Sequence, residues 1–258
     1  MSLKILEQKQ VKLLLILASF FVANALIAEC IGGKLFSLEA ILGLEAFNIS
    51  LFGQNGLSYV LTCGVLLWPL EFVMTDVVNE YYGSKIVKRI SYIAIVLIAY
   101  AFLMFYMSMG TPAADFWVTS QMHKGVPDMD SAYNAVFGQG LFIIIGSIAA
   151  FLVSQIVDVT VFQYIKRKTG QKMVWLRATG STIVSQFVDS FIVLFIAFKI
   201  GNGWSWQQVL AICLMNYSYK FVMAIVLTPL IYGLEKGIDK YLGKDLAMQM
   251  KSEAVKIK

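Results

Sequence analysis

Six ionisable side chains stand where the surrounding sequence offers them little water. They are Glu71, Asp76, Glu80, Asp158, Asp189 and Lys220. Each lies in or beside a long apolar run, where a charge is costly and has to face a partner, a cavity or a pathway. Their chemistry is recognition and proton handling. A carboxylate accepts two N–H bonds side by side, and an Asn or Gln amide pairs with a mixed donor–acceptor edge. Burial also penalises the charged form of a carboxyl, so such a group can carry a proton.

Helical spacing groups these residues into stripes. Asp76 and Glu80 are four apart, with Asn79 on the same face. Ser181, Ser185 and Asp189 repeat at four-residue steps, with Gln186 beside them. Ser147, Ser154 and Asp158 form a similar stripe with Gln155, and Asn216 and Lys220 are again four apart. One Asp–Lys pair, or a lone Ser or Gln, can be glue between helices. Five carboxylates against one lysine leave acids that need a ligand, a proton or water. The expected substrate-binding residues are therefore Asp76, Asn79, Glu80, Gln155, Asp158, Ser185, Gln186, Asp189, Asn216 and Lys220. The remaining polar features are weaker. His123, the single histidine, falls in a loop and reads as solvated, while Gly138, Gly140 and Gly146 read as close-packing positions.

The elements that position these stripes follow from composition. The chain has 258 residues, 59% hydrophobic and 14% charged, with mean hydropathy +0.72. Soluble domains carry about 25% charged residues, and disorder needs the opposite balance. The three cysteines lie in apolar runs and make no disulfide framework. The expected fold class is an all-α integral membrane protein in one transmembrane domain, 1–258. Six spans of about 20 apolar residues are expected near 12–31, 57–80, 87–109, 137–164, 178–200 and 206–233. A β-barrel would show alternating ten-residue segments instead. The apolar stretch 35–52 between the first two spans reads as an interfacial amphipathic segment.

Lys and Arg orient the spans. Seventeen fall on one side: Lys4, Lys9 and Lys12; Lys85, Lys88 and Arg89; Lys166, Arg167, Lys168, Lys172 and Arg177; and six in the C-terminal tail. Only Lys34, Lys124 and Lys199 fall on the other. Both termini are expected in the cytoplasm, and the net charge of +5 reads as topology and lipid contact rather than nucleic-acid binding. Leu26 to Cys30 resembles a lipoprotein cleavage site only distantly, because Glu29 stands where a small residue belongs. No phosphate-binding loop, dinucleotide glycine pattern, HExxH or GxSxG occurs. The expectation is no enzyme, no metal and no cofactor.

A short echo runs through the second half. Val153-Ser154-Gln155-Ile156-Val157-Asp158 matches Val184-Ser185-Gln186-Phe187-Val188-Asp189 as V-S-Q-x-V-D, 31 residues apart. The two copies fall on successive antiparallel spans, as paired half-sites do in transporters built from repeats.

The run from Trp68 to Gly83, P-L-x-F-x-x-T-D-x-x-N-E-x-Y-G, resembles the signature of the queuosine precursor transporter family, also called the vitamin uptake transporter family. A second stretch agrees: Arg177, Gly180-Ser181-Thr182, Ser185-Gln186 and Asp189-Ser190. The resemblance implies a multi-pass bacterial inner-membrane importer of a 7-deazaguanine, either 7-cyano- or 7-aminomethyl-7-deazaguanine, or queuine. The implied partners are that small molecule and the lipid bilayer, with a homo-oligomer as an open arrangement. Two features depart from the pattern. Glu71 stands where an apolar residue is expected, and the 33–56 loop is long.

The polar edge of such a base would be met by Asp158, Asp189, Gln155, Gln186 and Asn216, with Asp189 accepting a pair of ring N–H groups. Its flat face would need an aromatic slot, for which Phe187, Tyr217 and Trp68 are candidates. Asp158 is expected in release, gating or pairing with Lys220, and Asp76 or Glu80 in proton coupling. The alternative is a substrate-binding membrane subunit energised by an external ATPase module.

Overall fold

The computed structural model describes residues 7–170 and 173–256. Lys4, Lys172 and Lys258 of the charge count lie outside them. The protein is an α-helical membrane protein with a small β cap. Among the described residues, five helical segments are long and apolar enough to cross a bilayer: Lys9–Ile31, Ser84–Met109, Met129–Thr169, Val174–Ile200 and Trp206–Val226.

Helix α1 (Lys9–Ile31) buries Leu13, Leu17, Phe21, Ala25 and Ala28 at steps of three or four. Leu15, Ile16, Phe20 and Ile27 on its other faces are exposed. An apolar outer surface of this kind suits hydrocarbon as the solvent. The chain then forms two small antiparallel sheets, β1 (Leu35–Ser37) with β4 (Val60–Thr62) and β2 (Ile49–Leu51) with β3 (Gln54–Leu57). The expected amphipathic segment 35–52 is therefore a β cap interrupted by one helical turn. The buried carboxylate of Glu39 anchors it, accepting from the Tyr59 N–H at 2.7 Å. Burial opposes that charge, but the Tyr59 and other hydrogen bonds win and hold its pKa below the ordinary value.

The second expected helix begins later than its apolar run implies. Residues 57–62 belong to the strands, and Cys63–Leu66 is a 3-10 turn. Helix α2 is Trp68–Tyr82, with Pro69 in its first turn. Proline favours that position because its missing N–H is one no helix start uses. Gly83 ends α2 at φ +78°, where an added Cβ would meet the Ala254 carbonyl at 3.0 Å. Every α2 residue from Glu71 to Tyr81 is buried, so this short helix is wrapped by the others.

Helix α3 (Ser84–Met109) packs on α1, and α4 (Met129–Phe137) leads into α5 (Leu141–Thr169). Asp128 caps α4, and the Ser131 hydroxyl and the Ser131 and Asp130 N–H groups hold its carboxyl below the usual range. Helix α6 (Val174–Leu194) runs back along α5 and continues as a π turn to Ile200. Gly146 permits the approach, because a Cβ there would stand 3.1 Å from the Val193 carbonyl. Gly138 and Gly140 instead flank the break between α4 and α5.

Helix α7 (Trp206–Val226) starts at a Ser205–Gln208 capping box. The sixth expected helix, drawn to residue 233, stops at Val226. Pro229 starts α8 (Thr228–Leu242), which is followed by α9 (Lys244–Lys256). The largest apolar core joins α1, α2, α3 and α5 to Leu242, Ala247 and Met250.

Candidate functional site

The polar stripes meet inside the bundle, around α2. Its Pro-started, fully buried helix carries Glu71, Thr75, Asp76, Asn79 and Glu80 into the space between α1, α5 and α6. Three polar layers result.

The first layer lies at the end of α2 nearest α9. Glu80 accepts from Arg177 Nη2 at 2.8 Å and pairs with Lys166 Nζ at 3.0 Å. Lys166 also donates to the Glu80 carbonyl at 2.8 Å. Both cations are buried, at 1% and 0% exposure. The charge pattern had placed them in a cytoplasmic loop, so the count of five acids against one lysine needs correction. Their position beside a cluster of loop cations hid them. Next to this ion triad, Gln163 Nε2 donates to Asn79 Oδ1 at 2.6 Å. Gln163 was missed as well.

The second layer holds Asp76 and Asp158. Asp158 Oδ1 accepts from the Ser185 hydroxyl at 3.0 Å. Ser181 and Thr182 reach Asp76 at 3.5 Å. Thr75 Oγ1 donates to Gln155 Oε1 at 3.0 Å.

In the third layer Lys220 is ion-paired with Asp189, and Asp189 also accepts from Ser154 at 3.4 Å. The pairing of Lys220 is thus with Asp189, not Asp158. The echo acquires a physical meaning here. Ser154 of one copy faces Asp189 of the other, and Ser185 of the second faces Asp158 of the first. Each serine also lies 3.1 Å from its own i−3 carbonyl, Phe151 and Thr182 respectively. The two half-sites are reciprocal in local geometry.

Gln186 stands apart. It is 3% exposed, and neither its Oε1 nor its Nε2 has a partner. It lines a cavity of about 10 Å³ with Thr179, Thr182 and Lys220. Most buried polar atoms are bonded, and leaving one unpaired costs about 1–3 kcal/mol.

Other expected residues lie elsewhere. Asn216 donates to its own helix, at the Ile212 carbonyl (3.0 Å). Phe187 is 46% exposed and stacks edge-on with Tyr217, while Trp68 packs on Phe151. None of the three lines the Gln186 cavity. Glu71, the departure from the signature, is fully buried and accepts from Asn24 Nδ2 at 2.8 Å. Glu29 on α1 was also missed; it is buried and bonded by the Ser147 hydroxyl. His123 is exposed. Among the described residues, no group of three His, Cys, Asp or Glu side chains could hold a metal ion.

A bundle of apolar helices around a buried polar chamber is the build of a multi-pass membrane carrier. Residues 62–234 match the family described as "Putative vitamin uptake transporter", and the chain belongs to that family. It is a family of transporters, not of enzymes. The chain is similar to a "Probable queuosine precursor transporter" of Bacillus subtilis, 30% identical over 196 residues, covering 74% of this chain and 76% of the relative. A protein of the same description from Haemophilus influenzae is 23% identical over 186 residues, 72% of each chain. No solved structure matches the chain.

Proposed function

We propose that this protein imports a queuosine precursor, a 7-deazaguanine, across the bacterial inner membrane, and that Gln186 reads the base. The observation that carries this is the Gln186 amide, buried with both heteroatoms unpaired on a cavity shared with Lys220. A deazaguanine offers an N–H donor and a carbonyl acceptor side by side. An amide meets that edge with two parallel hydrogen bonds, one in each direction. Lys220 and Asp189 supply further donors and acceptors beside it. The relatives' descriptions support the same substrate class.

A cavity of about 10 Å³ has room for roughly one water, so the helices must part to admit a bicyclic base. Uptake of labelled 7-cyano-7-deazaguanine, 7-aminomethyl-7-deazaguanine and queuine tests the reading, in cells that cannot make queuosine. Expression of this protein should raise uptake of at least one of them. Uptake no higher than in cells with an empty vector, with the protein present in the membrane, would sink it.

A further inference from the structure

A second cavity lies directly beyond the first, toward α9. Gln186, Thr182 and Lys220 line the first, and Asp76, Glu80 and Glu235 are among those lining the second. Each has a volume of about 10 Å³. One face of α6 runs through both, since Gln186, Thr182, Ala178 and Val174 follow at four-residue steps. Twelve residues of helix cover about 18 Å, more than the length of a bicyclic base.

What separates the cavities is thin. Ile231, in the first turn of α8, lines both. It packs with Val73, Phe162 and Ala178 in a small apolar cluster. This layer of side chains lies between the polar groups of the first cavity, Gln186 and Lys220, and those of the second, Asp76, Glu80 and Glu235, in walls that are otherwise largely apolar.

The helix that carries Ile231 is a separate element with a break at its start. Its continuity with α7 is broken at Leu227, and Pro229 donates no hydrogen bond back to α7. On its flanks α8 is held by polar contacts. Thr228 Oγ1 and Thr179 Oγ1 lie 2.8 Å apart. The Tyr232 hydroxyl accepts from the Trp175 N–H at 3.2 Å. At the far end, Lys251 of α9 bridges Glu235 and Asp239, and the Tyr81 hydroxyl donates to Asp239 at 2.6 Å. Polar contacts of this kind exchange readily with water; the apolar grip on α8 is the Ile231 cluster near its start and Ile238 and Leu242 in the main core toward its far end.

We infer that α8 is the gate on the α9 side of the membrane, with Ile231 as its plug. Swinging α8 about the Leu227–Pro229 break draws Ile231 out of its cluster, joins the two cavities and opens a planar path toward Glu235. The identity of the passenger rests on the reading above, but the gate itself does not.

The test uses protein lacking Cys30, Cys63 and Cys213. Ala178→Cys with Ile231→Cys places one thiol on α6 and one at the plug itself, in the same packed cluster, so that oxidation to a disulfide holds the moving part of α8 rather than its pivot. Oxidation should cut uptake of labelled 7-aminomethyl-7-deazaguanine, 7-cyano-7-deazaguanine or queuine at least tenfold. Reductant should restore it, with binding by the purified protein unchanged. Full cross-linking with undiminished uptake would overturn the gate.

If no deazaguanine is carried even by the wild type, the substrate reading fails while the gate is judged without substrate. Thr182→Cys reports on the first cavity. Its labelling by an impermeant maleimide from the α9 side should be at least tenfold faster with Ile231→Ala and slower with Ile231→Trp. Should Ile231→Ala not fold, the Trp variant decides alone. Labelling rates that ignore residue 231 would overturn the proposal.

Discussion

At the scale of single residues the site divides into groups already satisfied and groups still open. Glu80 is satisfied twice over, by Lys166 and Arg177. Removing one partner of a buried ion group leaves uncompensated charge and typically costs about 3–5 kcal/mol. Glu80→Gln should therefore lower the thermal midpoint of the detergent-solubilised protein markedly, and Lys166→Met added to it should recover part of the loss. No change in midpoint would mean that the cations reach water. Gln186 is the opposite case, because nothing in the protein occupies its amide. Gln186→Leu should leave the fold intact and weaken deazaguanine binding by about 1–3 kcal/mol, roughly 5- to 150-fold. Calorimetry on the purified variant checks this, and unchanged affinity would remove Gln186 from recognition. The sequence made Gln186, Asp76, Asp158 and Asp189 legible because each breaks an apolar run at helical spacing. It concealed Lys166 and Arg177, since a cation near a helix end looks the same whether it faces solvent or turns inward to an acid.

At the scale of elements, two prolines explain where the expected helices went wrong. Hydropathy carries a helix through Pro69 and Pro229, because proline costs nothing on an apolarity scale. The backbone instead starts a new helix at each, α2 and α8. These two starts bring the D-x-x-N-E stripe and the gating helix into the bundle. The V-S-Q-x-V-D echo was fully legible, and its reciprocal Ser–Asp contacts predict matched effects. Ser154→Ala and Ser185→Ala should each slow uptake, and a much larger effect of one would show that the half-sites are equivalent in geometry alone. The brace between α8 and α9 is pH-sensitive in a defined window. Burial opposes the charge on Lys251, but Glu235 and Asp239 outweigh it and hold the ammonium above its ordinary value. A raised folded-state value stabilises below the unfolded pKa, about 10.4, and is lost as pH climbs through the folded one. Proteolytic release of α9 should therefore be flat from neutral pH to about pH 9 and rise above about pH 10.5. Lys251→Met should release it at every pH, and a rise already present at pH 8 in the wild type would assign the brace to another group.

At the scale of the whole molecule the open quantity is how many times the chain crosses. Among the described residues five segments are long enough unaided. Helix α2 has 15 residues, about 22 Å at 1.5 Å each, short of a hydrocarbon core of about 30 Å. The 3-10 turn Cys63–Leu66 leads into it, and four residues at about 2.0 Å add about 8 Å. Together they reach the required thickness. The acids of α2 would be prohibitive against lipid, but they are buried among other helices, so composition does not forbid the crossing. A sixth crossing also returns both termini to the basic side, as the lysine and arginine bias demands. Single cysteines in a cysteine-free background measure it with an impermeant thiol reagent. Cysteines at Glu45 and Lys124, both exposed, should label in intact cells, and those at Lys85 and Lys168, also exposed, only after the membrane is opened. The Glu45 and Lys85 pair isolates α2, since nothing else long enough to cross lies between them. Labelling of both from the same face would leave five crossings, put the termini on opposite sides, and turn α2 into a re-entrant helix that lines the chamber from one side only.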